Sequence, residues 1–298
     1  MRETFDNSWS DYILTQSRGW QFQPKFPSVQ GELEAALKRR LQYPVRVVGA
    51  SRTDTGVHAR GQAIHFDVPE ELSLGRSSKW KENVTGFEHS INHMLSNEVR
   101  IFNVEEAQAE SPESQPWHAI ACATGKWYAY RFHVGPIMDP TERLYRYSLR
   151  WKLDFAKMEK ALCGFVGKHD FASFANVATD MDYDVRCTER RISSARLVEE
   201  GNGCYRLDFT IDGALYRMIR NIVGFLFAVG SNKMNAHDLD DIFRARDRRR
   251  TPKSAPAQGL CLEEVFYNKP QNPGSSLVIK NAAQKPFSKS SFKKALLQ

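Results

Sequence analysis

Residues 126–134, KWYAYRFHV, alternate so regularly that they constrain this chain more than any other segment. Tyr128, Tyr130, Phe132 and Val134 recur at period two, the side-chain repeat of a strand. Residues 63–68, AIHFDV, show the same pattern, with Ile64, Phe66 and Val68 on one face and His65 and Asp67 on the other. Helical spacing accompanies these strands. Ser28 reads as a helix N-cap, and Val29, Leu33, Ala36, Leu37 and Leu41 follow at helical intervals. Glu32 and Glu34 fall early in that helix and the basic residues 38–40 late, which complements its dipole.

The remaining sequence continues the mixture. Short strands are predicted at VRVVGA (45–50), VRIFNV (99–104), 192–198 and 205–211. Helices are predicted at 87–95, 155–166, 215–229 and 236–246, and PKSAPAQGLCLEEVFY (252–267) reads as a loop followed by a strand. Residues 1–18 show no clear periodicity, and the polar stretches 70–86 and 105–116 read as connections. From Pro270 the chain is rich in Lys, Ser and Pro with few large apolar residues, the composition of a disordered tail. The expected organisation is an N-terminal half over 1–148, a C-terminal half over 149–268 and a basic tail over 269–298.

Composition narrows the class. The 298 residues are 41% hydrophobic and 26% charged, as in ordinary soluble globular proteins. No apolar run reaches the length of about 18 residues that a membrane-spanning helix needs. Glu3, Asp6 and Asp11 argue against a signal or transit peptide. The five cysteines are widely spaced and form no C-x-x-C pair, which points to an intracellular, reducing compartment with free thiols and no zinc. His89 and His93 stand four apart without a third ligand, so they read as a solvated or hydrogen-bonded pair and not as a metal site. The net charge of +7 is uninformative about the folded part. Six lysines and no acids lie in 265–298, leaving 36 basic against 35 acidic residues elsewhere. RNA binding would need positive charge clustered on one face.

Three features could carry chemistry. Within GASRTDTGVHARGQAIHFDV (49–68), Asp54 lies in a polar turn ahead of a strand. Such a turn is either a hydrogen-bonded corner or a device that presents the carboxylate. In LYRMIRNIVGFLFAVG (215–230), Arg217, Arg220, Asn221 and Gly224 form one helical stripe. Its glycine suggests close approach by a backbone or a phosphate; a solvated face is the alternative. Tyr128 is either a core tyrosine or an aromatic surface beside a pocket. Taken singly, none of the three decides a function.

Together and in order, the stretches resemble the TruA family of tRNA pseudouridine synthases. The resemblance rests on GWQFQP with SVQGELEAAL, GASRTDTGVHARGQAIHFDV, WHAIACATGKWYAYRF, GKHDFASF, and LYRMIRNIVGFLFAVG with DRRRTPKSAPAQGLCLEEVFY, spanning 19–267. The R-T-D-x-G-V-H-A block is its most specific part. The resemblance implies an α+β fold of two pseudo-symmetric α/β halves, with mainly antiparallel sheets around a central catalytic cleft. It implies a homodimer that acts without a cofactor on uridines of the anticodon stem-loop region of tRNA. By the same resemblance Asp54 matches the nucleophile, Tyr128 the tyrosine packed against the target base, and Arg220 the arginine paired with the carboxylate. Arg52 matches the arginine that helps flip the nucleotide. Arg60, Lys126, Arg217 and the arginines at 248–250 are candidate phosphate contacts.

The chemistry suits these residue types. The uracil N1–C1′ bond must break and C5–C1′ must form, with no redox change. A carboxylate can add covalently and leave again, and an arginine partner favours its ionised form and fixes its rotamer. A base inside a stem must first be flipped out. Two departures from the family pattern stand out. SWSDYILTQSR precedes GWQ where members carry a strand and an aspartate-glycine turn, so the first strand is expected to be atypical or missing. Ile120, in WHAI, occupies a position that is usually arginine. These departures leave a catalytically silent tRNA-binding or RNA-chaperone protein of the same fold as the alternative reading. A base-removing hydrolase using the same carboxylate would be a third.

Overall fold

The computed structural model describes residues 2–12, 19–69, 83–105, 117–176 and 187–267. The predicted tail and most of the connections at 70–86 and 105–116 lie outside the described residues. The N-terminal half contributes strand β1 (Arg2–Tyr12), helix α1 (Val29–Leu41), β2 (Val48–Gly49), β3 (His58–Pro69), α2 (Val84–Met94), β4 (Val99–Phe102) and β5 (Ala123–Val134). There follow β6 (Tyr147–Leu149), α3 (Phe155–Cys163), β7 (Gly167–Asp170), β8 (Glu189–Gly201), β9 (Cys204–Ile211), α4 (Met218–Gly230), α5 (Asp238–Ala245) and β10 (Leu260–Tyr267).

The architecture is α+β and the pairing is mainly antiparallel, as the resemblance implied. It differs in one respect: the strands of both halves form one continuous sheet. Its order is β4-β1-β3-β10-β5-β9-β8-β7, with β2 attached to β3 and β6 to β5. Only β3 with β10 and β5 with β6 run parallel among the described strands. The last described strand, β10, therefore lies near the middle, inserted between β3 and β5. It pairs Leu262 with Ala59 on one side and with Tyr128 on the other. On its far edge β5 meets β9 in unbroken register, Tyr128 opposite Phe209 and Phe132 opposite Tyr205.

Local sequence explains most elements. Ser28 caps α1 through Gly31 N–H donating to its Oγ at 3.3 Å. The apolar stripe of α1 is buried, and Leu33 and Leu37 meet Ile64, Phe66, Phe87 and Ile91 around one small apolar cavity. On the other half, Phe227 of α4 packs edge-on against Tyr130 and Phe132 of β5, with ring centroids 5.9 and 5.0 Å apart.

Three expectations are sharpened. Of the two alternatives for the first strand, it is present and atypical: Arg2–Tyr12 is irregular, with register shifts between Phe5 and Ser8 and between Ser10 and Tyr12. The strand face that carries His65, opposite Ile64, Phe66 and Val68, is covered as well. His65 is buried against Trp117 and His118, with the latter ring 4.6 Å away. Helix α4 begins at Met218 and not Leu215, because Arg217 adopts a left-handed conformation (φ 59°) that the α-helix excludes.

Candidate active site

Asp54 lies in the loop from β2 to β3. Val57 N–H donates to the Asp54 carbonyl at 3.0 Å, and Gly56 supplies φ 78° at the third position. These are the marks of a type II turn, which needs glycine there. The loop is tied down on several sides. Ala50 N–H donates to Ala63 O at 2.8 Å, and Trp20 N–H to Thr53 O at 3.1 Å. Gln62 clamps Ser51: its Oε1 accepts from Ser51 N–H at 3.1 Å, and its Nε2 donates to Ser51 O at 2.5 Å. Gly19 closes the far side, where an added Cβ would stand 2.7 Å from Thr53 O.

The Asp54 side chain is directed at α4. Arg220 Nη1 donates to Asp54 Oδ2 at 2.6 Å, with side-chain exposures of 13% and 17%. Arg217 Nε stands 3.9 Å from the same oxygen and is more open, at 39%. Asp54 Oδ1 accepts no hydrogen bond among the described residues. Arg220 is itself held. Its Nε donates to Ala255 O at 2.8 Å, and Ala255 N–H returns a bond to Arg220 O at 2.9 Å. The guanidinium thus bridges the loop before β10 and the loop before β3.

Gly224 explains how these loops come so close to the helix. An added Cβ would sit 2.3 Å from Lys253 O, so a backbone, and not a phosphate, approaches the stripe. Asn221 on that stripe is fully buried. It donates to Phe174 O at 2.7 Å and accepts from Arg248 at 2.9 Å and from Ser254 at 2.5 Å.

Tyr128 rises from β5 beneath the loop, 6% exposed, its Oη 3.2 Å from Ser51 Oγ. Burial lifts its phenol to about 12, the Ser51 bond opposes that, and the Asp54 charge adds to it. The phenol is therefore neutral and close enough to feel the carboxylate. Arg52 is exposed two residues before Asp54.

The proposed RNA contacts divide. Arg60 is open, its guanidinium 65% exposed and 3.9 Å from Glu263. Arg217 is partly open beside Asp54 and lies over the Tyr216 ring at 5.2 Å. Lys126 is not on the surface: it is 9% exposed and its Nζ donates to Ala50 O at 2.7 Å. Strand alternation places it correctly on the Tyr128 face but does not reveal that this face is covered. Arg248 is likewise turned inward, onto Asn221 and Thr251, whereas Arg249 is exposed and paired with Asp247 at 2.8 Å. Sequence reasoning missed Ser51, Gln62 and Ala255 as anchors, because two of these contacts use backbone atoms that any residue carries.

A family profile described as tRNA pseudouridine synthase matches residues 161–268. A tRNA pseudouridine synthase A 1 of Protochlamydia amoebophila is 38% identical, over 86% of this chain and 93% of its own length. Those named tRNA pseudouridine synthase A from Solidesulfovibrio magneticus and Brevibacillus brevis are 40% and 36% identical, over 87% and 86% of this chain. The aligned regions cover 89% and 96% of those two relatives.

Proposed function

The chain belongs to the tRNA pseudouridine synthase A family, and from that premise we propose that it converts uridine to pseudouridine with Asp54 as nucleophile. The protein is an isomerase acting on uridine in tRNA. Its target is proposed to lie in the anticodon stem-loop region, following the family resemblance. The observation that carries the assignment to Asp54 is the Arg220 contact at 2.6 Å, which holds one carboxylate oxygen and leaves the other to react.

The reaction is balanced without a co-reactant. Asp54 adds at C1′, the N1–C1′ bond breaks with its electron pair going to the uracil, and the uracil turns. C5 then bonds to C1′ and displaces Asp54, the C5 proton is lost and N1 is protonated. Tyr128, neutral and within electrostatic reach of the Asp54 carboxylate, is proposed to supply the aromatic surface against which a flipped base packs. Arg52, two residues before Asp54, is proposed to fill the space that the flipped nucleotide vacates, following the family resemblance. Arg217, Arg60, Arg249 and Arg250 are among the open cations from which phosphate contacts would come. Burial removes Lys126 from that role. All five cysteines are free, which supports a reducing compartment. No helix among the described residues is long and apolar enough to cross a membrane. The homodimer implied by the resemblance is part of the proposal, and sedimentation of the purified protein checks it.

The test is position-by-position mapping of pseudouridine in unmodified tRNAs incubated with the purified protein. The proposal expects new pseudouridine in the anticodon stem-loop. Tight tRNA binding with no product would favour a silent RNA-binding protein, and free uracil with abasic RNA would favour a base-removing hydrolase.

A further inference from the structure

The loop that carries Asp54 is entered through Ala50 and Ser51, and two successive inward positions of β5 reach it. Lys126 Nζ donates to Ala50 O at 2.7 Å, and Tyr128 Oη lies 3.2 Å from Ser51 Oγ. Lys126 stands in apolar company. Its cross-strand partners, Ile211 on β9 and Val265 on β10, are each 1% exposed. The charged groups that face it are Arg190 on β8 and Asp212 just after β9. An ammonium in such a place gives up its hydration, and a neutral side chain of similar length would fill the space without that cost. A chain that keeps the charge has a use for it. Among the described residues its ammonium makes one hydrogen bond, to the first residue of the Asp54 loop.

We infer that Lys126 is a positioning residue for the reaction, its charge-assisted bond to the Ala50 carbonyl holding the Asp54 loop against Arg220. The inference rests on Asp54 being the nucleophile. Asp54 must meet C1′ or the uracil ring within a narrow geometry, and a displacement of about 1 Å can cost about a hundredfold in rate. Burial lowers the Lys126 pKa to about 8; Arg190 adds to this and Asp212 opposes it. At neutral pH the group is mainly charged and the bond is strong. Above that value the neutral amine bonds more weakly and the loop slackens. Stability moves the other way. Because the folded pKa lies below the ordinary 10.5, the unfolded chain binds more protons between the two values, so this group's contribution to stability rises with pH there. Activity that falls while stability gains is a signature that a merely structural lysine does not give.

The experiment measures kcat, KM for unmodified tRNA and Tm between about pH 6.5 and 9.5 for wild type, Lys126→Met and Lys126→Arg, with Asp54→Asn in parallel. The wild type is expected to lose kcat with a midpoint near pH 8. Lys126→Met is expected to keep its Tm and hold KM within about twofold, while kcat drops by about tenfold and loses that alkaline limb. Lys126→Arg should restore kcat and carry no limb in this range. A methionine variant with wild-type kcat and the same limb overturns the inference, as does a kcat loss matched by a fall in Tm. If the methionine variant does not fold, a wild-type kcat that stays flat through pH 8 overturns it instead. Full activity in Asp54→Asn would remove the premise; an inactive Asp54→Asn beside a wild-type-like Lys126→Met would remove only the role of Lys126.

Discussion

At Asp54 one carboxylate oxygen is engaged by Arg220 and the other is left available among the described residues. The arginine fork matters here as much as its charge, since Nη1 serves Asp54 while Nε serves Ala255. Lysine cannot reproduce that pair of bonds. Arg220→Lys is therefore expected to lower kcat by about a hundredfold with KM little changed, read by single-turnover pseudouridine formation. Tyr128→Phe removes only the bond to Ser51, and urea titration should show a loss of about 1 kcal/mol. Residue types alone left Asp54 suspended between a structural turn and a catalytic group. The structure shows why the two descriptions agree. The turn is closed by Val57 N–H and the φ of Gly56, so the carboxylate is not consumed as a cap. What sequence periodicity could not supply was the partner, because Arg220 is 166 residues away. Only the order of motifs linked them.

At the scale of elements, α4 was legible as a helix but not as a contact. Arg220 and Gly224 of its predicted stripe face the backbone of 253–255, which no pattern of side chains announces. Gly224→Ala would drive a methyl group into Lys253 O. We expect a loss of about 1–3 kcal/mol in thermal unfolding, and a fall in kcat, because Ala255 and Arg220 shift with it. Lys126 shows the complementary limit: alternation tells which face a residue takes and not how deep that face lies. The same holds for His65 on β3. Burial, with His118 nearby, lowers its pKa from 6.5 to about 4. Below pH 6.5 the unfolded chain takes up the proton and the folded chain does not, so stability falls as the pH drops from 6.5 toward 4. The loss should total about 3 kcal/mol, and a His65→Gln variant should show a flatter acid limb in chemical denaturation across that range.

At the scale of the whole molecule, the site exists because β10, late in the described chain, enters between β3 and β5 and completes one sheet. That insertion brings the Asp54 loop, Tyr128 and the segment that anchors Arg220 into one place from three parts of the chain. The alternating strands were readable from their residues, but their order was not, since a strand at 260–267 carries no mark of its partners. Truncation before Leu260 is thus expected to abolish cooperative unfolding, where loss of an edge strand would only weaken it. The account as a whole stands on one carboxylate. Its most direct test is the rate of pseudouridine formation by Asp54→Asn under single-turnover conditions, with saturating enzyme and unmodified tRNA. The variant should bind tRNA within about threefold of wild type, yet form product at least about ten thousandfold more slowly. Product at the wild-type rate would contradict the account.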